Sequence, residues 1–475
     1  MENMTTPAVI VVVYLAIMLA VGIYASRFVK DTTDFLLAGR KMGLLVLIAT
    51  LCATHIGGGN IIGTASNGYA QGLSGMAFGT STGMGMLVLG FFFAKPMRKL
   101  GICTICDYVY IRYRSNTVRI LTSLFSLVAL IGILAAQVGA ITGVISVFGF
   151  HPKLGAVISV LMIIVYTALA GMWAVALTDV IQIVIVFIGL PLTTILGLHS
   201  IGGWDGLRTA LETMNVAGGI DQYMSPIGIG IPAMLGFILP MIAYDTIGQD
   251  FYQRLMSAKN ENIAKTAAII AGVIMFVFGI NSAVVGMLGK AILGDNLQGS
   301  SVVSSLAIQV LPAWAGGVLI AALIAAVMST ADSVLLASTS HVINDFYVEV
   351  MNPGREMDQK KLLALSKTTT VGVGLIALAV SLLIPGIIRI LIYSYTIYCS
   401  GVCVPVVMGM LWEKGTAQGA LWSIVAGGAV GMMATLKVIS VSTIPPIVLG
   451  VIASFVAYVA VSLLTGKDAR QSAAA

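Results

Sequence analysis

Long apolar runs, punctuated by short clusters of charge, proline and glycine, fill almost the whole chain. Bounded by those interruptions, they fall at 7–27, 44–72, 75–95, 117–149, 153–172, 174–199 and 228–253, and then at 262–288, 312–345, 363–384, 387–411, 416–436 and 443–464. About 20 residues of helix cross a bilayer, so the pattern predicts an all-α polytopic membrane protein with about 13 transmembrane helices. Two runs are interrupted at mid-depth. The run 44–72 contains LIATLCATHIGGGNIIGTASNGYA, with Gly57, Gly58 and Gly59 beside His55. The run 228–253 contains GFILPMIAYDTIGQDFYQRLMSA, with Pro240, Asp245, Gly248, Gln249 and Asp250.

Irregular backbone persists at membrane depth only where it is buried in protein or lines a cavity, so such breaks point to a site. Each glycine in a helix interior costs about 1 kcal/mol relative to alanine. The triple glycine therefore predicts unwinding; the other reading is close helix packing through small residues. In the second run the pattern predicts an unwound stretch over 243–249 and a new half-helix from Asp250, whose spacing to Gln253 has the form of a capping box. Asp245 has no such structural explanation and is a candidate site residue.

The interrupted runs are the second and the seventh, five apart. A repeat of five helices, an odd number, must run in opposite directions through the bilayer, which gives an inverted repeat with its site at the midplane. The corresponding division is an extra helix and cytoplasmic loop at 1–43, a first repeat at 44–199, an extracellular loop at 200–227, a second repeat at 228–411, and two further helices with a cytoplasmic tail at 412–475.

Composition excludes the soluble classes. Charged residues are 9% of the 475 and the mean hydropathy is +1.02, against roughly 25% charged in soluble domains. The net charge of +6 reports topology rather than nucleic-acid binding. Twenty Lys and Arg fall on one side of the predicted bundle and five on the other, which places the N-terminus outside, the C-terminus in the cytoplasm and the protein in the plasma membrane as a multi-pass chain. The first apolar run lacks a basic leader and a small-residue cleavage site, so it is expected to be a retained helix. Cys103 and Cys106 form a lone C-x-x-C on the reducing side, a weak metal signal. Without a phosphate-binding loop of the form G-x-x-x-x-G-K-[ST], work is expected to come from an ion gradient. A transporter, not an enzyme, is the expectation, with the monomer as functional unit in the lipid bilayer.

The ninth run contains AALIAAVMSTADSVLLASTS, in which Ala326, Ser329, Thr330 and Ser333 share one helix face. Their hydroxyls and a free carbonyl, with carbonyls from an unwound helix nearby, are uncharged hard-oxygen donors of the kind that suits Na+ and releases it again. Hydrogen bonding to the preceding turn, or between helices, is the alternative role for the hydroxyls.

AAVMSTADS, ATHIGGGN, the ALTDVIQ segment opening the sixth run and GQDFYQRLMSAKN ending the seventh together resemble the sodium/solute symporter family, which includes sodium/proline and sodium/sugar symporters. The resemblance covers nearly the whole chain. It implies a leucine-transporter-type 5+5 inverted repeat with broken first and sixth core helices, working by alternating access. It further implies a main Na+ site formed by the carbonyls of Ala53, Ile56 and Ala326 with the hydroxyls of Ser329 and Thr330. A second Na+ site of some members maps onto Asp179, Ser329, Asp332 and Ser333, with Asp332 in place of the small hydroxyl residue. Asp179 and Asp332 are thus candidates for a second Na+ or a proton, against a helix cap for Asp179 and an interhelical bond for Asp332.

The same resemblance places the solute between the broken helices and the third and tenth core helices. Candidates are His55, Gly58, Asn60, Gln137, Tyr244, Asp245, Gln249 and Tyr395, with Tyr393 and Tyr398 nearby. His55 stands where the sodium/proline branch has an acidic residue. Backbone amides at a glycine break favour a small polar solute, an amino acid or short carboxylate. The expected function is Na+-coupled symport of such a solute. The alternatives are a proton-coupled symporter using Asp179, Asp332 or His55, and a passive channel or solute sensor.

Overall fold

Helices, joined by turns and one isolated β-bridge between Met42 and Ala258, make up the secondary structure of the residues described in the computed structural model. These are residues 2–472 apart from 29–30, 147–148, 150, 215, 385 and 440–443. Lys30 and the first residue of the expected 443–464 run lie outside them. Helices occupy the ranges read from the hydropathy pattern, from Glu2–Ala25 at the start to Pro446–Ser472 at the end. Among the described residues nine are long and apolar enough to cross a membrane, or ten when the bent pair Ile231–Ile247 and Gln249–Ser257 counts as one span.

Three expectations change in detail. The runs 153–172 and 174–199 form one helix, Pro152–Ser200, turned at Gly171 (φ 58°, ψ −175°). Glycine suits that left-handed φ, and a Cβ there would come within 2.8 Å of the Phe35 ring. The second break is confined to Gly248 (φ −65°, ψ 127°) rather than spread over 243–249, and it bends the two half-helices by 40°. Asp250 does not form the capping box. Gly248 is the N-cap, Gln253 Nε2 donates to Leu36 O at 2.8 Å, and Asp250 Oδ1 instead accepts from the Tyr244 hydroxyl at 2.8 Å. The first break is at Ile56 and Gly57, between Leu44–His55 and a wide-turned segment, Gly58–Gly63, that runs on into Thr64–Gln71.

The helix Ala313–Ser340 is the centre of the bundle: 94% of the apolar window it heads is buried, against 28% in the peripheral helix Gln359–Leu383. Outward faces carry apolar side chains such as Ile188 and Ile195, each more than 60% exposed, which suits hydrocarbon. Inside the bundle, small residues set the approach of helices, as expected where lipid tails remove the hydrophobic drive for helix association. Gly272, Gly279 and Gly286 recur every seven residues on Glu261–Leu293. A Cβ at Gly279 would lie 2.3 Å from the backbone of Gly79, and one at Gly286 would lie 2.0 Å from Ala65 O.

At one end of the bundle His341 closes a buried polar network. Its Nδ1 lies 2.6 Å from Asp345 Oδ2 and its Nε2 lies 2.7 Å from Ser126 Oγ, while Thr104 Oγ1 donates to Asp345 Oδ1 at 2.9 Å. Cys106 Sγ is 3.8 Å from His341 Nδ1. Both ring nitrogens are engaged, so the network reads as a clamp between helices.

Gly279→Val forces side-chain atoms into the Gly79 backbone and should lower stability by about 1–3 kcal/mol, the range for overpacking. A thermal melt of the detergent-purified variant checks this; an unshifted midpoint would mean the two helices do not pack this closely.

Candidate ion and solute site

The ion side of the site is built where the first broken helix crosses Ala313–Ser340. Thr330 Oγ1 lies 3.1 Å from Ala53 O and 3.2 Å from Ala326 O. Ala53 lies in the turn preceding the Ile56–Gly57 break, and Thr330 stands one turn beyond Ala326 on the central helix. The break leaves no room for side chains: a Cβ at Gly57 would sit 2.3 Å from Thr330 Oγ1. Gly58 N–H donates to Gln137 Oε1 at 2.8 Å, so Gln137 caps an amide that the break frees. Three of the five expected Na+ oxygens, from Ala53, Ala326 and Thr330, therefore converge. Ile56 is at the break itself, and the Ser329 hydroxyl turns to Asp179 Oδ1.

Asp179 is fully buried well inside Pro152–Ser200, so it is not a helix cap. It accepts hydrogen bonds from Ser329 and, at 2.5 Å, from the Thr50 hydroxyl. Beside it lies Arg254, one of the twenty Lys and Arg that the charge pattern places on the cytoplasmic side of the bundle, here fully buried. Arg254 Nε donates to Thr50 O and Oγ1, both at 3.0 Å, its Nη2 donates to Ser333 Oγ, and Nη2 lies 3.8 Å from Asp179 Oδ2. The 40° bend at Gly248 explains the placement, because it carries all of Gln249–Ser257 into the protein. Asp332, on the same central helix, accepts from the Thr167 hydroxyl, while its Oδ2 is buried without a hydrogen-bond partner.

The solute side lies next to Thr330. His55, Asn60, Gln137, Tyr244 and Tyr395, with Asp250, line a cavity of about 20 Å³, room for roughly one water molecule. It shares no lining residue with a larger vestibule of about 400 Å³ around Asn67 and Arg389, nor with one of about 190 Å³ around Arg40 and Asn344. The rings of Tyr244 and Tyr395 are 4.4 Å apart, and His55 stacks on Phe251 at the same distance. Asp245 packs against Gly85, with its Oδ1 3.1 Å from His55 Nε2.

Not every candidate reaches the cavity. Gln249 points toward the opposite loop, accepting from Ile105 N–H at 2.8 Å and donating to Cys103 O at 3.2 Å. Tyr398 donates to Ile247 O at 3.0 Å and so ties down the end of the first half-helix, while Tyr393 is 37% exposed. Asp250, read from the sequence as a cap, lines the cavity instead.

A model of the sodium:solute symporter family matches residues 35–427. The chain belongs to that family. Among similar proteins, the sodium/pantothenate symporter of Escherichia coli is 28% identical over 444 residues, covering 90% of each chain. The osmoregulated proline transporter OpuE of Bacillus subtilis is 24% identical over 97% of this chain and 95% of its own. High-affinity choline transporter 1 of Caenorhabditis elegans is 28% identical over 80% and 69%. A Na+-coupled sialic acid symporter, solved in a substrate-bound outward-open state, superposes with a TM-score of 0.81 over 97% of both chains at 20% identity. As a member of this family the protein is a Na+-coupled symporter with the leucine-transporter-type inverted-repeat fold, not an enzyme, and its coupling ion is Na+.

Removing one partner of a buried charge pair costs about 3–5 kcal/mol. Arg254→Met should do so, and the double variant Arg254→Met, Asp179→Asn should lose less than the sum of the two single changes. Strictly additive losses in thermal melts would show that the two side chains are not coupled.

Proposed function

We propose that the protein carries a small polar organic solute inward with Na+, and that the main Na+ site is formed by the carbonyls of Ala53, Ile56 and Ala326 with the hydroxyls of Ser329 and Thr330. The observation that carries this reading is the position of Thr330 Oγ1, within hydrogen-bond distance of Ala53 O on the first broken helix and of Ala326 O one turn back on its own helix. Entry of an ion would replace that hydroxyl bridge by three oxygen contacts, drawing the first broken helix and the central helix together. A neutral ligand set lets the ion leave on the other side, while the membrane potential contributes about 2.3 kcal/mol per charge per 100 mV to its inward movement.

The solute occupies the adjoining cavity, with His55, Gly58, Asn60, Gln137, Tyr244, Asp245 and Tyr395 around it. Because Thr330 borders both compartments, filling one shapes the other, which is the physical basis of coupling. Asp179, Asp332 and Ser333 form a second position, for Na+ or a proton, where Arg254 competes with any incoming cation. A proton there is favoured by the buried, unpartnered Oδ2 of Asp332, since a protonated carboxyl avoids an uncompensated charge.

The thirteen-span topology, with repeats at 44–199 and 228–411, belongs to the same proposal. So do an outside N-terminus, a cytoplasmic C-terminus, residence in the plasma membrane and action as a monomer. Charge asymmetry of the loops supports the orientation.

Proteoliposome uptake driven by imposed Na+ or H+ gradients tests the reading. Thr330→Ala removes one oxygen from the ion shell and should raise the half-saturating Na+ concentration about tenfold, and Asp179→Asn should change the ion stoichiometry or pH profile while a Na+ response remains. Unchanged Na+ dependence in Thr330→Ala would remove the main-site assignment.

A further inference from the structure

The unmet hydrogen-bonding capacity around the solute cavity is mostly of one kind. Asn60 lines the cavity at 2% exposure, and its Nδ2 is committed to Gly79 O at 3.1 Å while its Oδ1 has no partner. Asp245 Oδ1 is paired with His55 Nε2 at 3.1 Å, while its Oδ2 is buried without a hydrogen bond behind the cavity wall. Buried polar groups in folded proteins are paired, so Asn60 Oδ1, on the cavity wall, calls for a ligand that brings a donor.

Charge points the same way. Asp245 and Asp250 both belong to this side of the bundle, and His55 is the ionisable base nearest to them. Arg254 stands behind the wall, its Nε and Nη2 directed to Thr50 and Ser333 and its Nη1 to the Asp250 backbone carbonyl at 3.4 Å, so the Asp250 carboxyl keeps its face to the cavity. Among the described residues no Lys or Arg lines the cavity. The remaining walls are aromatic, with Tyr244, Tyr395 and Phe78 facing the same space as Asp250. Ring faces beside a carboxylate favour an organic ammonium ion over a carboxylate or a strongly hydrated metal ion.

We propose that the transported solute is a small organic cation whose ammonium group sits against Asp250 beside the Tyr244 and Tyr395 rings, with Asn60 Oδ1 accepting a donor from it. The inference rests on the Na+-symport reading of the same cavity and replaces the amino acid or short carboxylate expected from the sequence. A carboxylate there would face Asp250 with no Lys or Arg in the cavity wall to hold it. Widening of the narrow cavity on opening admits the solute.

The test uses the full-length protein in detergent, with thermal stabilisation measured in Na+ and in K+ for ethanolamine, putrescine, choline, proline, acetate and glucose. Radioactive sodium binding is measured on the same preparation. At least one of the three cations should stabilise the protein in Na+ and not in K+, and proline, acetate and glucose should not. Asp250→Asn should weaken that effect at least about tenfold, and Asp250→Glu, which keeps the charge, should restore part of it. Stabilisation by proline, acetate or glucose, or by none of the cations, overturns the proposal. If sodium still binds in that case, only the solute class falls; if sodium does not bind, the symport reading of the cavity falls as well.

Discussion

A single buried guanidinium organises the ion side of the molecule. Arg254 joins the backbone of the first broken helix at Thr50 to the central helix at Ser333, and it lies against Asp179 on Pro152–Ser200. Taking such a charge out of water is expensive unless its hydrogen bonds are met and an opposite charge is near. That requirement fixes the relative positions of four helices. It also explains why Thr50, Ser329 and Ser333, three hydroxyls of modest individual worth, are all engaged around one carboxylate and one guanidinium.

The geometry of the transport site follows from this framework and from two small backbone devices. At Gly57 the chain needs a conformation and a closeness to Thr330 that leave no space for a Cβ, and the carbonyl of Ala53 is consequently within reach of the Thr330 hydroxyl. At Gly248 a single extended residue swings Gln249–Ser257 inward, bringing Asp250 to the solute cavity and Arg254 to the ion side in the same movement. One bend thus supplies a negative group to one compartment and a positive group to the other, four residues apart. Thr330 touches the Ala53 and Ala326 carbonyls and also lines the cavity, and the proposed coupling rests on that shared position.

Much of this was legible from the sequence because membrane helices advertise themselves. The apolar runs, the triple glycine and the hydroxyl face of AAVMSTADS each carry a strong local signal. Helix periodicity alone puts Ala326 and Thr330 on one face, and odd spacing of the two breaks implies the inverted repeat. Arg254 was not legible in this way. Basic residues at the end of an apolar run read as loop anchors, and only the angle of the turn at Gly248 distinguishes a loop arginine from a buried one. Asp250 was misread for a related reason: D-x-x-Q fits a capping box locally, yet the tertiary partners Tyr244 and Leu36 take both side chains away from the helix end. Gln249 shows the converse. Its polarity and position suggested the solute site, but its amide satisfies backbone groups of Cys103 and Ile105, contacts that no sequence pattern announces.

The central claim is that the break at Gly57 and the hydroxyl of Thr330 create a cation site between two helices. A high-resolution cryo-electron microscopy map of the protein in Na+, compared with one in K+, addresses it most directly. The account predicts a density feature present only in Na+, within coordination distance of Ala53 O, Ala326 O and Thr330 Oγ1, and separate from the Arg254 guanidinium. A Na+-dependent feature beside Asp179 and Asp332 with that position empty, or no difference between the two maps, would contradict it.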